Sequence, residues 1–198
     1  MNIDFNHEPL DKLSSTVLAA YGFEGSAAKS GSVERLPAET RPLLAELEAS
    51  GELSGKAYEC TLIHRPPGLA AAKLLVVGAG KKEKFNRAQL RRLAGTAVRY
   101  ARARGVHDLA WLLGAKDSDP QAVEVVVEGA ILADYDSDRY RTERNAERRI
   151  DRLDLATGGA KPDTAASAAL DGGRIIAEAQ NFTRDLVNEP SNRMTPTE

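Results

Sequence analysis

The chain has 198 residues, a formal net charge of −2, and apolar and charged fractions of 42% and 28%. That is enough chain to bury a core without staples, and the near-neutral balance argues against a surface built throughout to bind polyanions. The single cysteine, Cys60, excludes an internal disulfide framework and a thiolate metal cluster.

The opening MNIDFNHEPLDK has neither the basic nor the apolar part of a secretory leader, and no stretch approaches the ~18 apolar residues of a membrane span. A cytoplasmic location is the expectation. Leu13–Ala20 reads as a short strand bounded by Gly22 and Gly25. Pro37–Ser50 carries Leu43, Leu44 and Leu47 at helical spacing and stops at Gly51, a C′ glycine. A second strand, AYECTLIH, ends at Pro66-Pro67-Gly68. Lys73–Val77, KLLVV, is a continuous apolar run closed by Gly78-Ala79-Gly80, the pattern of a strand buried on both faces.

The next helix has the clearest start. Asn86 is an N-cap with Gln89 as capping-box partner, and Phe85 and Leu90 form a hydrophobic staple. Leu90, Leu93, Ala94, Ala97 and Ala101 line one face, and Gly105 ends it. His107–Leu113 is another strand. Asp119-Pro120 opens a helix carrying Val123, Val126, Val127, Ala130 and Ile131. Asp134–Arg149 is polar, a loop or exposed hairpin. Leu153–Thr157 is a last short strand, and a final helix runs from Ala165 onward. Strands alternating with helices predict an α/β fold of about five or more strands, with Lys73–Val77 interior and the Asn86–Arg104 helix on one face.

The chain ends IIAEAQNFTRDLVNEPSNRMTPTE. Two apolar rows recur at helical steps: Ile175, Ala179, Phe182 and Leu186, and Ile176, Thr183 and Val187. One row is expected to pack on this domain's sheet, and the other needs a second partner. Pro190 ends the helix. Thr195-Pro196-Thr197-Glu198 then forms a capping box with no helix after it, as in the front part of a longer protein.

Asn181–Pro196 matches the pattern N-x-x-R-D-L-V-N-x-P-x-N-x-x-T-P at every fixed position. It resembles the segment that enters the catalytic domain in the leucine aminopeptidase family of dinuclear metallopeptidases. Lys73–Lys81 is similar to that family's glycine-ended central strand. Asp138–Thr142, DRYRT, is similar to its F-D-R-Y-K-T loop, with Arg141 for Lys. The resemblance covers roughly residues 13–198. It implies a three-layer α/β/α, macro-domain-like mixed sheet over residues 1–187, with 188–198 a linker into a C-terminal catalytic domain. It also implies a hexamer, peptide substrates, and two divalent ions, zinc or manganese, held by that other domain. No metal, catalytic lysine or catalytic arginine position carries over, so this chain is expected to hold no cofactor and to be inactive alone.

Among the residues themselves, His7, His64 and His107 lack metal-ligand spacing. Asp134, Asp136 and Asp138 alternate but lack the glycine and terminal glutamate of a calcium loop. Gly78, Gly80 and Lys81 form a candidate anion loop after a strand, since glycine amides can approach a phosphate closely. The competing reading is a tight turn leaving a buried strand. Arg91, Arg92, Arg99 and Arg102 lie opposite the apolar face of their helix and form a candidate nucleic-acid stripe. The competing reading is a solvated face paired with Asp117, Asp119, Glu124 and Glu128. Some bacterial aminopeptidases of the resembling kind bind DNA through surfaces that include this domain. Cys60 reads as a small buried hydrophobe rather than a nucleophile.

Overall fold

The computed structural model describes residues 1–115, 119–136 and 149–189. Among these residues six strands form one sheet: β1 (Asn2–Asn6), β2 (Val17–Gly22), β3 (Cys60–His64), β4 (Lys73–Gly78), β5 (Asp108–Leu112) and β6 (Arg152–Ala156). Their order is β1-β6-β5-β2-β4-β3. Five strands run parallel, and β3 pairs antiparallel with β4 at one edge. The α-helices are α1 (Arg41–Ala49), α2 (Arg87–Ala103), α3 (Pro120–Asp134) and α4 (Thr164–Asn188).

Alternate strand residues serve two cores, as the two-residue period of a strand requires. Val17, Ala19, Tyr21, Leu75, Val77, Leu109, Trp111, Leu153 and Leu155 face α2, α3 and the start of α4. Leu18, Ala20, Leu74, Val76, Ala110, Leu112 and Ala156 face α1 and the irregular segments around Leu13, Val33 and Leu36. The result is a three-layer α/β/α architecture on a mixed sheet, as the alternating elements predict. Lys73–Val77 is interior, between β2 and β3.

Helix starts follow their caps. Asn86 Oδ1 accepts from Gln89 N at 3.1 Å, and Asp119 Oδ1 from Ala122 N at 2.8 Å. Gln89 does not return the bond, because its Oε1 is buried without a partner, so the predicted capping box is half made. Gly51 and Gly105 follow α1 and α2 at φ +83 and +66, the left-handed turn that favours glycine. Of the three leucines on α1, only Leu44 is fully buried.

Three expectations need correction. The predicted strand at Leu13–Ala20 lies at Val17–Gly22. Leu13 is buried, but it sits in a turn closed by its own N–H on Pro9 O. Ahead of that strand, β1 is an element that no sequence expectation covered, and it pairs with β6 along its whole length. Cys60 is only partly buried at the start of edge strand β3.

The third correction concerns α4. Neither apolar row packs on the sheet. Its buried face is Ala166, Ala169, Leu170, Gly173 and Ala177, all but one small. These let α4 lie close on α3, where a Cβ at Gly173 would stand 2.6 Å from Glu124 O. A Cβ at Gly129 would stand 2.1 Å from Arg91 O, so α2 and α3 approach just as closely.

Candidate functional site

Beyond Ala177, α4 has no fully buried side chain, and polar groups hold it. Asn181 Nδ2 donates to Ile131 O at 3.4 Å, and Arg184 Nη1 to Leu132 O at 3.3 Å. These are carbonyls of the last turn of α3, which have no partner within their own helix. Tyr135 Oη donates to Asp185 Oδ1 at 2.9 Å and accepts from Asn188 Nδ2 at 3.2 Å. Gln180 Nε2 donates to Glu128 Oε1, which also receives Arg91 Nη1 at 2.6 Å. The fixed polar residues of the Asn181–Asn188 pattern therefore face inward. The apolar ones face out: Ile175 is 67% exposed, Phe182 63% and Val187 79%, with Ile176 and Leu186 also exposed. This is a continuous apolar stripe on the outer face of one helix. The capping box and linker at 190–198 and the DRYRT loop lie outside the described residues.

The glycine loop is closed from within. Gly78 N donates to Glu59 O, Ala79 N to Gly22 O and Gly80 N to Gly55 O, at 2.7–2.9 Å. Gly78 and Gly80 carbonyls receive Tyr58 N and Glu24 N. A Cβ at Gly78 would stand 1.9 Å from Lys56 O, so glycine is needed here for main-chain packing against residues 55–59. Lys81 is exposed beside the loop.

The arginine stripe divides. Arg102 lies toward the end of α3, on Asp134 O and Tyr135 O, and pairs with Asp136 at 3.1 Å. Arg91 pairs with Glu128, and Arg87 with Asp119 at 3.8 Å. Arg91, Arg92 and Arg99 line an open groove of about 430 Å³ floored by Gly95 and Gly129. Two residues that sequence reasoning left out complete it: Arg184 from α4 and Tyr58 from the loop before β3. No acid lines this groove among the described residues, and Arg92, Arg99 and Arg184 make no ion pair there. Linear spacing shows the α2 arginines but not a residue that joins them from another helix.

Metal donors are not brought together. Among the described residues no three His, Cys, Asp or Glu side chains form a group able to hold an ion. His107 Nδ1 meets Asp151 at 3.3 Å, and His7 and His64 are elsewhere. Asp134 accepts from Ile150 N, and burial pushes its carboxyl above its ordinary value. Burial likewise raises the Cys60 thiol to about 11, which leaves little thiolate for nucleophilic work. No helix among the described residues is long and apolar enough to cross a membrane.

Residues 17–144 match the model of the cytosol aminopeptidase family, N-terminal domain. A probable cytosol aminopeptidase of Solibacter usitatus is 41% identical over 196 residues, covering 99% of this chain and 38% of the relative. A probable cytosol aminopeptidase of Acidobacterium capsulatum is 42% identical over 155 residues, covering 75% of this chain and 30% of the relative. Among solved structures, a tomato leucine aminopeptidase mutant superposes with a TM-score of 0.74 at 19% identity, over 100% of this chain and 40% of the other. The bottromycin maturation enzyme BotP, in complex with Mn, gives a TM-score of 0.64 at 23% identity, over 92% of this chain and 34% of the other. The chain thus spans well under half the length of the curated relatives it matches. It belongs to the cytosol aminopeptidase family, and the part of that family it matches is the N-terminal domain.

Proposed function

We propose that residues 1–187 are the non-catalytic N-terminal domain of a leucyl-aminopeptidase-like metallopeptidase, with 188–198 leading toward a catalytic domain. The domain acts as a scaffold: it docks on the catalytic domain and helps build a homo-oligomer, a hexamer as the resemblance implies. The whole protein removes N-terminal residues from peptides in the cytoplasm, using two divalent ions held outside this chain. The observation that carries this reading is the apolar stripe of α4, exposed at Ile175, Phe182 and Val187. Single exposed apolar residues are ordinary, but five on one helical face mark a surface that another surface covers. Most of the length of the family relatives lies outside the match.

The test is direct. The purified 198-residue chain, supplied with manganese or zinc, is expected to give no leucyl-amide hydrolysis. Metal-dependent turnover that persists through further purification would overturn the assignment of this domain as non-catalytic.

A second reading, contact with nucleic acid, has one supporting observation: the groove of Arg91, Arg92, Arg99 and Arg184 without a lining acid. Binding of duplex DNA that weakens steeply with salt would support it. The third, nucleotide recognition by Gly78, Gly80 and Lys81, has less support, because the three consecutive amides of that loop already donate to main-chain carbonyls.

A further inference from the structure

A cavity of about 380 Å³ opens where β1, β6 and β5 end. In open α/β sheets the carboxyl ends of parallel strands are where loops diverge and ligands fit. Here the chain leaves β5 at Leu113 and β6 at Thr157, and both residues line the cavity.

Arg35 comes from the other face of the sheet, at the end of the 3-10 turn Gly31–Arg35. Its Nη1 donates to Leu113 O at 2.6 Å and its Nη2 donates to Thr157 O. Two carbonyls therefore fix the guanidinium, and further N–H donors of the group's five remain. Among the described residues no carboxylate pairs with it. Arg35 also lines a second, more open depression that Asp11 and Glu39 border, and neither acid comes within ion-pair distance of it. A half-buried cation held only by carbonyl dipoles lacks the counter-ion that burial ordinarily demands.

Lys161 adds a second positive charge to the cavity wall. One acid lines it among the described residues, Asp163, and that carboxylate caps α4 by accepting from Ala166 N at 2.7 Å. The lining thus has an excess of one positive charge. The remaining wall is Thr157 and apolar residues, of which Phe5 and Pro162 are partly exposed. The volume is within the range of small-molecule sites, roughly 300–1,000 Å³, which combine apolar walls with a few fixed polar groups.

We propose that this cavity binds a small organic anion. A carboxylate or phosphate group sits on Arg35 and Lys161, and its apolar body lies against Phe5 and Pro162. The cavity lining is distinct from the exposed α4 stripe, so the site does not depend on the aminopeptidase reading.

Calorimetric titration of the 198-residue chain with N-acetylleucine and with phenyl phosphate tests it, with leucinamide as a cation of similar apolar bulk. Saturable binding of at least one anionic probe is expected, and none of leucinamide. The better probe identifies the head group. Lys161→Glu reverses an exposed charge, and Ala160→Trp fills the mouth from an exposed position. Each is expected to weaken binding about tenfold or more, the first by loss of a charge-assisted contact and the second by occlusion, with the melting temperature unchanged. Arg35→Lys keeps the charge and loses the fork, so it is expected to weaken binding in a protein that still melts cooperatively. No binding of either anion at millimolar concentration would overturn the proposal. Equal binding by Lys161→Glu and Ala160→Trp would also overturn it, by placing the anion elsewhere.

Discussion

Gly172 and Gly173 are neighbours in α4 and should respond to the same substitution with opposite signs. Both are in the helix interior, where alanine is favoured over glycine by about 0.8–1.0 kcal/mol. A Cβ at Gly172 meets nothing closer than Glu124 Oε2 at 3.6 Å, an ordinary contact with a movable side chain. A Cβ at Gly173 would stand 2.6 Å from Glu124 O and 3.2 Å from Glu124 C and Cα, all main chain of α3. The helices would have to separate by nearly an ångström. Overpacking of this kind costs roughly 1–3 kcal/mol, which outweighs the propensity gain. Gly172→Ala should therefore stabilise by up to about 1 kcal/mol, and Gly173→Ala should destabilise by up to about 2 kcal/mol. In a chain of this size each kcal/mol moves the melting temperature by about 2–4 °C, so the two variants should separate by several degrees. Urea and thermal unfolding of the three proteins measure this. The same pair tests the functional surface, because the inward placement of Gly173 and Ala177 is what turns Phe182 and Val187 outward. If Gly173→Ala proves as stable as Gly172→Ala, α4 does not lie on α3 as described and the exposed stripe loses its basis.

Replacing Phe182 and Val187 together by Ser should leave the melting temperature within a few degrees, since surface substitutions usually stay within about 0.5 kcal/mol. Any self-association of the 198-residue chain, read by light scattering, should fall, and association that persists would remove the stripe as its cause. Asn86→Ala removes the bond to Gln89 N at the start of α2, and a loss of about 1 kcal/mol in urea unfolding is expected. Asp134 carries a sign that pH can read. Its folded pKa is raised, with burial the largest cause, so the proton it binds in the folded state favours folding at low pH. That contribution is complete below the unfolded value near 4 and is lost as pH rises through the raised folded value. Asp134→Asn keeps an acceptor for Ile150 N without the charge. Its melting temperature relative to the parent should rise between pH 3.5 and 7, and a flat or falling difference would refute the desolvation argument.

What the sequence determined by itself was whatever local chemistry dictates. Asn86 and Asp119-Pro120 place helix starts because a cap needs only its own next three residues. KLLVV announces an interior strand because burial on both faces leaves no polar position. The family pattern at Asn181–Asn188 is legible for the same reason, as a string. What tertiary structure decided was which of these residues meet across long separations. β1 is five residues at a sheet edge, and its evidence is pairing with β6 about 150 residues away. The faces of α4 invert the hydrophobicity reading, because close approach to α3 selects Gly173 and Ala177 over Ile175 and Phe182. The groove gathers Arg184 and Tyr58 to the α2 arginines, and the cavity brings Arg35 beneath β5 and β6. Periodicity reports which side chains dislike water, but only packing decides which of them find cover and which polar groups converge.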